Sequence, residues 1–493
     1  MSFSEIISTL SGWVWGMPFI IFCLGTGLYF SWRTRFLQIR YFKRMIKMLL
    51  KGKSSDSGIS SFQAFTLALT GRLGMGNIAG VATAIAFGGP GAIFWMWIIA
   101  FVGAGTAYVE SSLGQVYKEK IDGNYRGGPA YYILKGLKNK AFSIAFALVT
   151  ICALGILLPG VQSNAICDAF QHSFGIDPRI SAGGVVLLLA VIIFGGVRRI
   201  ANVGKVVIPF MAIGYLLVVA VILILNFQQI PAVFTLIIKS AFGFEAAFSG
   251  MVGAAISTRV KRGIFSNEAG QGTGAHAAAA CEVSHPAKQG LVQAFSVYID
   301  TWLICSATAF VILISGAYRV YDGTLDNVLY TGPAMLESVT SFGTVYTQLA
   351  VDASIPGFGS VFVAIALFFF AFTTIMSYYF QAESNVYFLF RNEKIAFYMI
   401  QLLRAAVLFV TFFTAINAMT LAWNLADIGV GMMAWLNLIA IVLLRKVALK
   451  VFKDFEVQRR SGIKEPVFHP EKLDIKNAEI WEENGVSRND GRS

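Results

Sequence analysis

The stretch of sequence that decides the fold is TGRLGMGNIAG, at residues 70–80. It lies in a segment, 62–87, that is otherwise apolar and long enough to cross a bilayer. The polar Asn77 stands there among four glycines: Gly71, Gly74, Gly76 and Gly80. A polar group in lipid needs a partner, and packing of helices alone does not require so many glycines beside it. The stretch therefore predicts a membrane helix that is broken near its middle.

The composition supports a membrane protein with many spans. Of 493 residues, 56% are hydrophobic and 13% are charged, whereas an average soluble domain has roughly 25% charged residues. The 42 Phe, 17 Tyr and 9 Trp exclude a disordered chain. We predict an all-α integral membrane protein with about 11 transmembrane helices, at 13–32, 62–87, 91–115, 141–170, 181–197, 204–226, 240–260, 289–316, 357–381, 396–417 and 420–444.

The net charge of +12 is explained by basic loops between the spans and does not require a nucleic acid. With loop 33–61 placed in the cytoplasm, the outside receives the acidic connection 317–356. The basic residues then predicted to be cytoplasmic are Lys118, Lys120, Arg126, Arg198, Arg199, Arg259, Lys261, Arg262, Lys446 and Lys450. This arrangement predicts a multi-pass protein of the plasma (cytoplasmic) membrane with its N-terminus outside and its C-terminus inside.

The ten spans after the first divide into two sets of five that begin in opposite directions. Span 62–87 runs outward and span 240–260 runs inward, and the second contains Gly250 and Gly253. Paired glycine-broken spans in inverted halves are typical of the central binding site of a transporter, although glycines that only allow close helix packing are an equal alternative for the second span. We predict four regions: an N-terminal helix and basic loop, two five-helix repeats, and a solvated cytoplasmic tail, at 1–61, 62–226, 227–444 and 445–493.

A helix broken in the membrane exposes free amides on one half and free carbonyls on the other. The carboxylate of a zwitterion would bind the amides near Met75 and Gly76, where glycine allows close approach. An ammonium group or a metal cation would bind the carbonyls near Thr70, Gly71 and Leu73. Asn77 adds a neutral oxygen of the kind that Na⁺ prefers.

Two further polar groups within spans are candidates for the site. Gln162, Ser163 and Asn164 follow Pro159 and Gly160 in one span. In another, helical spacing puts hydroxyls on one face: Thr373, Thr374 and Ser377. These hydroxyls could equally bond to carbonyls of their own helix, as membrane Ser and Thr often do.

The polar segment 262–286 should be buried in protein or lie at the cytoplasmic mouth, as a gate or structural turn. Its potential ligands, Glu268, His276, Cys281 and His285, do not have the spacing of a zinc site. The intramembrane acids Glu110, Asp168, Glu245 and Asp300 are not paired at catalytic spacing. We therefore predict neither an enzyme nor a cofactor.

Four long strings closely resemble the alanine or glycine:cation symporter family, also called the sodium:alanine symporters. They are GxGNIAGVATAI at 74–85, GGPGAIFWMW at 88–97, RGGPAYYI at 126–133 and KRGIFSNEAGQGTGAHAAAA at 261–280. The resemblance implies a five-plus-five inverted repeat of the leucine-transporter type with one extra N-terminal helix. It also implies uptake of a small neutral amino acid, alanine, glycine or possibly glutamine, driven by Na⁺ or sometimes H⁺.

The resemblance also implies which residues form the sites. Substrate contacts would come from Gly74, Met75, Gly76, Asn77, Gln162 and the region around Gly250 and Gly253. The sodium site would join carbonyls near Thr70, Leu73 and Phe370 or Ala371 to the hydroxyls of Thr374 and Ser377. The chain departs from the family where Met75 replaces a threonine, at Ser377 and Tyr378, and at Ser163, which puts the identity of the substrate in question more than the mechanism. The alternative function is a proton-coupled or uncoupled amino-acid facilitator, or a cation channel.

Overall fold

The computed structural model describes residues 3–49, 54–244, 254–322, 327–337, 339, 342–417 and 420–482. Within these residues, eight helices are long and apolar enough to cross a membrane. They are Thr9–Arg33, Ala92–Val116, Lys140–Phe174, Gly196–Leu225, Pro286–Ser315, Gly359–Leu389, Glu393–Ala415 and Trp423–Leu443. The protein is therefore a helical multi-pass membrane protein, and all eight correspond to predicted spans.

The first half of the chain contains helices and one short hairpin. The helices are α1 Phe3–Val14, α2 Met17–Arg33, α3 Leu37–Arg40, α4 Phe42–Leu49, α5 Ser61–Arg72, α6 Ala79–Gly88, α7 Ala92–Val116, α8 Pro129–Leu137, α9 Lys140–Cys152, α10 Leu158–Phe174, α11 Pro178–Ile193, α12 Gly196–Leu225 and α13 Ile230–Ala241. Strands β1 Glu119–Ile121 and β2 Asn124–Arg126 pair antiparallel after α7. A π-helical turn, Ala153–Leu157, joins α9 to α10 within one span.

The second half of the chain also consists of helices and one pair of short strands. Its helices are α14 Ala254–Asn267, α15 Thr273–Ala279, α16 Pro286–Val297, α17 Ser306–Ser315, α18 Thr344–Ser354, α19 Gly359–Leu389, α20 Glu393–Ala415, α21 Thr420–Leu443 and α22 Arg445–Arg460. A π-helical segment, Tyr298–Cys305, joins α16 to α17. Strands β3 Arg319–Tyr321 and β4 Val328–Thr331 form an antiparallel hairpin in the predicted outer connection.

The predicted span 62–87 is broken in its middle. Helix α5 begins at a capping box formed by Ser60 and Gln63. It ends at Arg72, and one 3₁₀ turn, Met75–Asn77, precedes α6. We call residues 73–78 the first break. The glycine-rich stretch thus correctly indicated the interruption.

A second broken helix consists of α14 and α15, with residues 268–272 between them. It runs parallel to α7, because three successive glycine contacts join the two at increasing residue numbers. A Cβ atom on Gly263 would lie 3.2 Å from Ile99, one on Gly103 2.9 Å from Ala269, and one on Gly114 2.6 Å from the carbonyl of Ala275. We call residues 268–272 the second break.

The predicted span 240–260 is wrong in its extent, because α13 ends at Ala241 and α14 continues to Asn267. Helix α14 therefore extends into the polar segment 262–286, where residues 263–281 are buried in the protein as predicted and residues 268–272 form a turn. Hydropathy could not detect this extension because its polar groups are buried against other helices. Gly250, Gly253 and Glu245 lie outside the described residues.

One end of the molecule, which we call the basic end, holds the end of α7, strands β1 and β2, and the segment 54–60. Tyr125 donates its amide to the carbonyl of Ser57, and Arg198 bonds to the carbonyl of Asp56. Ile59 forms a parallel bridge with Cys281. The predicted cytoplasmic loops around Lys118, Arg126 and Arg198 therefore do share one end.

Lys261 and Arg262 do not lie at this end, and grouping them with the other loops was wrong. Lys261 forms a 2.5 Å ion pair with the carboxylate of Asp427, and the backbone carbonyl of Asp427 accepts a hydrogen bond from the Trp15 indole at the start of the first span. Lys261 lies in α14 and Asp427 in α21, and their ion pair neutralises the positive charge of Lys261 within the helices. Counting basic residues along the sequence had wrongly assigned Lys261 to a cytoplasmic loop.

The tail is folded against the basic end, so the prediction of a solvated tail was wrong for residues 445–482. The side chains of Phe455, Phe468 and Trp481 are buried. Trp481 donates its indole N–H to the carbonyl of Gln115 at 3.0 Å, and the Phe468 amide donates to Ser284 O at 2.9 Å. Aromatic side chains spaced along a charged segment supply the apolar surface that fixes it.

Candidate functional site

The first break is capped from within and from α10. The Gly74 amide donates to Oδ1 of Asn77 at 2.9 Å, and the Met75 amide donates to Oε1 of Gln162 at 3.2 Å. A Cβ atom at Gly74 would lie 2.6 Å from Oγ1 of Thr374, so only glycine allows this approach. The structure thus brings together four of the predicted substrate residues, Gly74, Met75, Asn77 and Gln162, and Gly76 lies within the same turn.

Asp300 joins this group, although the sequence had given it no role. Nδ2 of Asn77 donates to Oδ1 of Asp300 at 2.7 Å. The hydroxyls of Ser266 and Thr301 donate to the same carboxylate at 3.2 and 2.7 Å. The fully buried acid lies in the π-helical segment. Its signal in the sequence was the rarity of a carboxylate within a span, which marks functional positions.

Three of the predicted cation ligands, Leu73, Phe370 and Thr374, meet where α19 crosses the first break. Oγ1 of Thr374 lies 3.3 Å from the carbonyl oxygen of Leu73 and 2.9 Å from that of Phe370. Three oxygens from two helices therefore converge at this point. Among the described residues, the neighbouring Thr373 hydroxyl bonds within its own helix alone, to the carbonyls of Phe369 and Phe370.

Ser377 lies one turn further along α19, where its hydroxyl and that of Thr70 share one backbone carbonyl. Its hydroxyl contacts the carbonyl of Leu67 at 3.5 Å, and Oγ1 of Thr70 donates to that same carbonyl at 2.6 Å. The methyl group of Thr70 faces Gly204 of α12. The hydroxyl contacts among the predicted cation residues therefore form two groups, one at Leu73 and one at Leu67.

Glu268 of the second break approaches the Leu67 group. A Cβ atom on Gly71 would lie 2.9 Å from Oγ of Ser377 and 3.1 Å from Oε2 of Glu268. The hydroxyl and the carboxylate are therefore both in contact with one glycine of α5. The sequence had placed Glu268 in a gate or structural turn and had not assigned it to this group.

The second break is bound by side chains of α7 and α21. Oε2 of Glu110 accepts from the Gly272 amide at 3.1 Å and from Nδ2 of Asn437 at 2.8 Å. Asn437 also donates to the carbonyl of Gly270 at 2.9 Å. Gly270 and Gly272 have φ angles of +90° and +85°, a region that favours glycine. Side chains of two other helices therefore bind the backbone of this break.

Arg72 is buried between the two breaks. Its Nη1 donates to the carbonyl of Gln293 at 3.0 Å, and it also bonds to Ser296. Nη2 lies 2.9 Å from the place of a Cβ atom on Gly274. A fixed positive charge therefore lies near Glu110, Glu268 and Asp300.

The remaining polar candidates lie in separate environments. Nδ1 of His276 contacts Gly272 O at 3.0 Å, and the Cys281 thiol contacts Ser61 and Gln289. Nε2 of His285 lies 3.1 Å from Asp454 in the tail, and burial lowers the pKa of His285. Asn164 turns away from the break towards the carbonyl of Thr414.

Chemically, the first break offers two kinds of binding group. The carbonyl and hydroxyl oxygens at Leu73, Phe370 and Thr374 are the neutral hard ligands that suit an alkali-metal cation. The amides and the carboxamides of Asn77 and Gln162 suit the charged ends of a zwitterion. All of these side chains are buried, so such a ligand would be out of contact with bulk water.

The comparison with known proteins agrees with a transporter. The family described as "Sodium:alanine symporter family" matches residues 1–470. The chain is 55% identical over 479 residues to the putative sodium/proton-dependent alanine carrier protein YrbD of Bacillus subtilis, covering 97% of this chain and 98% of that protein. It is 49% identical to the sodium/proton-dependent alanine carrier protein of Bacillus sp. strain PS3, covering 90% and 98%. It is 40% identical to the probable sodium/glutamine symporter GlnT of Bacillus subtilis, covering 97% and 96%.

Proposed function

The chain belongs to the sodium:alanine symporter family, and from this premise we propose that it imports a small neutral amino acid, with alanine as the first candidate, together with Na⁺. The contact between Thr374 and the free carbonyl of Leu73 carries the proposal. It joins α19 to the first break through oxygens only. A cation bound there would hold the two helices together and complete the adjacent amino-acid site.

Residue roles follow from this arrangement. The cation binds to carbonyl oxygens of Thr70, Leu73 and Phe370 and to the hydroxyls of Thr374 and Ser377. The carboxylate of the amino acid binds to amides of the Gly74, Met75 and Gly76 turn, with Asn77 and Gln162 fixing that turn. Gly250 and Gly253 stay predicted substrate contacts.

Transport would proceed by alternating access in a five-plus-five inverted repeat with one extra N-terminal helix. The packing of the broken helices supports this: α5 packs against α15 and α6 against α14, so that the two run antiparallel. The clustering of basic loops at one end supports a cytoplasmic position for that end, with the N-terminus outside. Na⁺ would order the first break, and the amino acid would then allow the closed bundle to open inward.

Uptake into proteoliposomes that contain only this protein tests the proposal. Labelled alanine, glycine and glutamine are offered with an inward Na⁺ gradient, with the gradient collapsed, and with a proton gradient in its place. We expect alanine to accumulate above equilibrium only when Na⁺ flows inward. Accumulation driven by protons alone would replace Na⁺ as the coupling ion, and equilibration under every condition would indicate an uncoupled facilitator or a channel.

A further inference from the structure

A cavity of about 400 Å³ opens at the basic end, between α4, the start of α16 and the tail. This volume is within the range of about 300–1,000 Å³ that is usual for small-molecule sites. Five basic side chains and one acidic side chain line it: Arg44, Lys47, Lys288, Arg459, Lys464 and Glu465. None of them belongs to either break.

The positive charge of this cavity is only partly compensated by the protein. Glu465 pairs with Lys288. Among the described residues, Arg44, Lys47 and Lys464 have no carboxylate oxygen within 4.0 Å. Nη1 of Arg459 donates to two backbone carbonyls of the tail, while its buried Nε has no hydrogen-bond partner in the described part of the chain. A buried unpaired donor of a cationic group favours an anionic ligand.

Helix α4, which lines one side of the cavity, is amphipathic. Its apolar side chains Phe42, Met45, Ile46 and Leu49 follow a spacing of three and four residues, and its basic residues occupy the other side. Phe42 and Ile46 are 39% and 41% exposed, which leaves apolar surface for lipid tails. An amphipathic helix with this pattern lies in the interface between headgroups and acyl chains.

We propose that the cavity binds the phosphate headgroup of an anionic phospholipid. Arg44 and Lys47 hold the phosphate from α4, and Arg459 and Lys464 hold it from the tail. The acyl chains lie along Phe42 and Ile46. Basic pockets beside membrane helices are known sites for such headgroups.

The cavity also reaches Ser61, the first residue of α5. The N-terminal end of a helix carries partial positive charge, which adds to the attraction for a phosphate. A lipid bound there would connect the tail to α5, the half of the first broken helix that begins at the basic end. Binding of the lipid to the cavity can be measured separately from transport.

Native mass spectrometry of the full chain from mixed micelles tests the proposal. The protein is equilibrated with phosphatidylglycerol and phosphatidylcholine at equal concentration. The wild type should retain phosphatidylglycerol selectively. The double variant Arg44→Gln/Lys47→Gln should retain less by on the order of tenfold or more, since each basic residue near a charged lipid surface contributes measurably. The matched control is Lys43→Gln, which removes an exposed charge of the same helix outside the cavity.

Three results would overturn the proposal. The first is equal retention of phosphatidylglycerol by the double variant and the wild type. The second is an equal loss in Lys43→Gln, which would indicate general surface charge. The third is thermal stabilisation by inorganic phosphate without retention of the lipid, which would indicate a site for a free anion. If the double variant does not elute as a folded protein, Lys464→Gln, an exposed change in the tail, is judged by the same criteria.

Discussion

The two breaks of this protein differ in how their free backbone groups are bound. At the first break, two neutral side chains bind the free amides. The Asn77 carboxamide accepts a hydrogen bond from the Gly74 amide, and the Gln162 carboxamide of α10 accepts one from the Met75 amide. Among the side chains of the described residues, the Thr374 hydroxyl is the one that donates a hydrogen bond to the Leu73 carbonyl. At the second break, one carboxylate oxygen of Glu110 and the Asn437 carboxamide bind the backbone of Gly272 and Gly270 and bond to each other.

This difference indicates that the two breaks have different roles. Backbone groups that are bound by neutral side chains, as at the first break, can exchange those contacts for a cation or an amino acid at little cost, because water and ligand offer similar bonds. A break held by a buried carboxylate cannot do so, since an unpaired buried charge is expensive. We infer that the first break is the adaptable one and that the second is an anchor.

The largest effect is expected at the centre of the first break. Asn77→Ala removes the cap on Gly74 and one donor to Asp300, and we expect uptake to be lost while expression is retained. Asn164→Ala is the control, because Asn164 points towards Thr414 O instead. Normal uptake by Asn77→Ala would place the substrate elsewhere.

The anchor role of the second break is tested by Glu110→Ala. The change leaves the Gly272 amide and Asn437 without their buried acceptor, so we expect a loss of about 1–3 kcal/mol in stability. Thermal unfolding in detergent measures it. Glu110→Gln keeps one acceptor oxygen and should lose less. If both variants melt with the wild type, the second break is not anchored by this network.

A smaller effect separates the cation ligand from its neighbour. Thr374→Ala removes the hydroxyl that faces Leu73, and the Na⁺ concentration for half-maximal uptake should rise by roughly fivefold, equivalent to about 1 kcal/mol for one hydrogen-bonding group. Thr373→Ala removes only bonds within α19 and should leave the Na⁺ dependence unchanged. Ser377→Ala is expected to shift it in the same direction as Thr374→Ala. Equal curves for Thr374→Ala and Thr373→Ala would remove Thr374 from the cation site.

The smallest effect concerns the segment that follows α15. Nδ1 of His285 accepts a hydrogen bond from the Ala287 amide at 3.1 Å, and a protonated Nδ1 could not accept it. Burial is the main cause that lowers the pKa of His285 below its ordinary value of 6.5, although nearby Asp454 opposes the shift and Lys288 adds to it. The folded state therefore binds fewer protons than the unfolded state. The stabilisation is complete above pH 6.5 and decreases as the pH falls towards the folded pKa.

Hydrogen exchange of the tail amides at 445–482 measures this effect. We expect faster exchange at pH 5.5 than at pH 7.5, by less than about tenfold after correction for the intrinsic rates. His285→Asn should abolish the difference, whereas His469→Asn, which changes a histidine paired with Glu471 in the tail, should retain it. A difference that survives His285→Asn would assign the pH dependence to another group.

Much of the fold followed from local pattern. Runs of apolar residues located eight of the long spans, and glycines beside Asn77 located the first break. Thr374 could be selected because helical spacing put it on a polar face of α19. The role of Asp300 could not be predicted, because its partners Asn77 and Ser266 are more than thirty positions away in sequence.

The sequence by itself determined that this chain is a membrane protein, that the segment 62–87 is a broken helix, and to which family it belongs. These properties depend on residue types and spacing along a single segment. Only the tertiary structure decided which segment supplies the second break, that Lys261 pairs with Asp427, and that the tail packs on the basic end. Polar and charged groups are tolerated inside a membrane protein when distant residues satisfy them, and no local pattern records which residues those are.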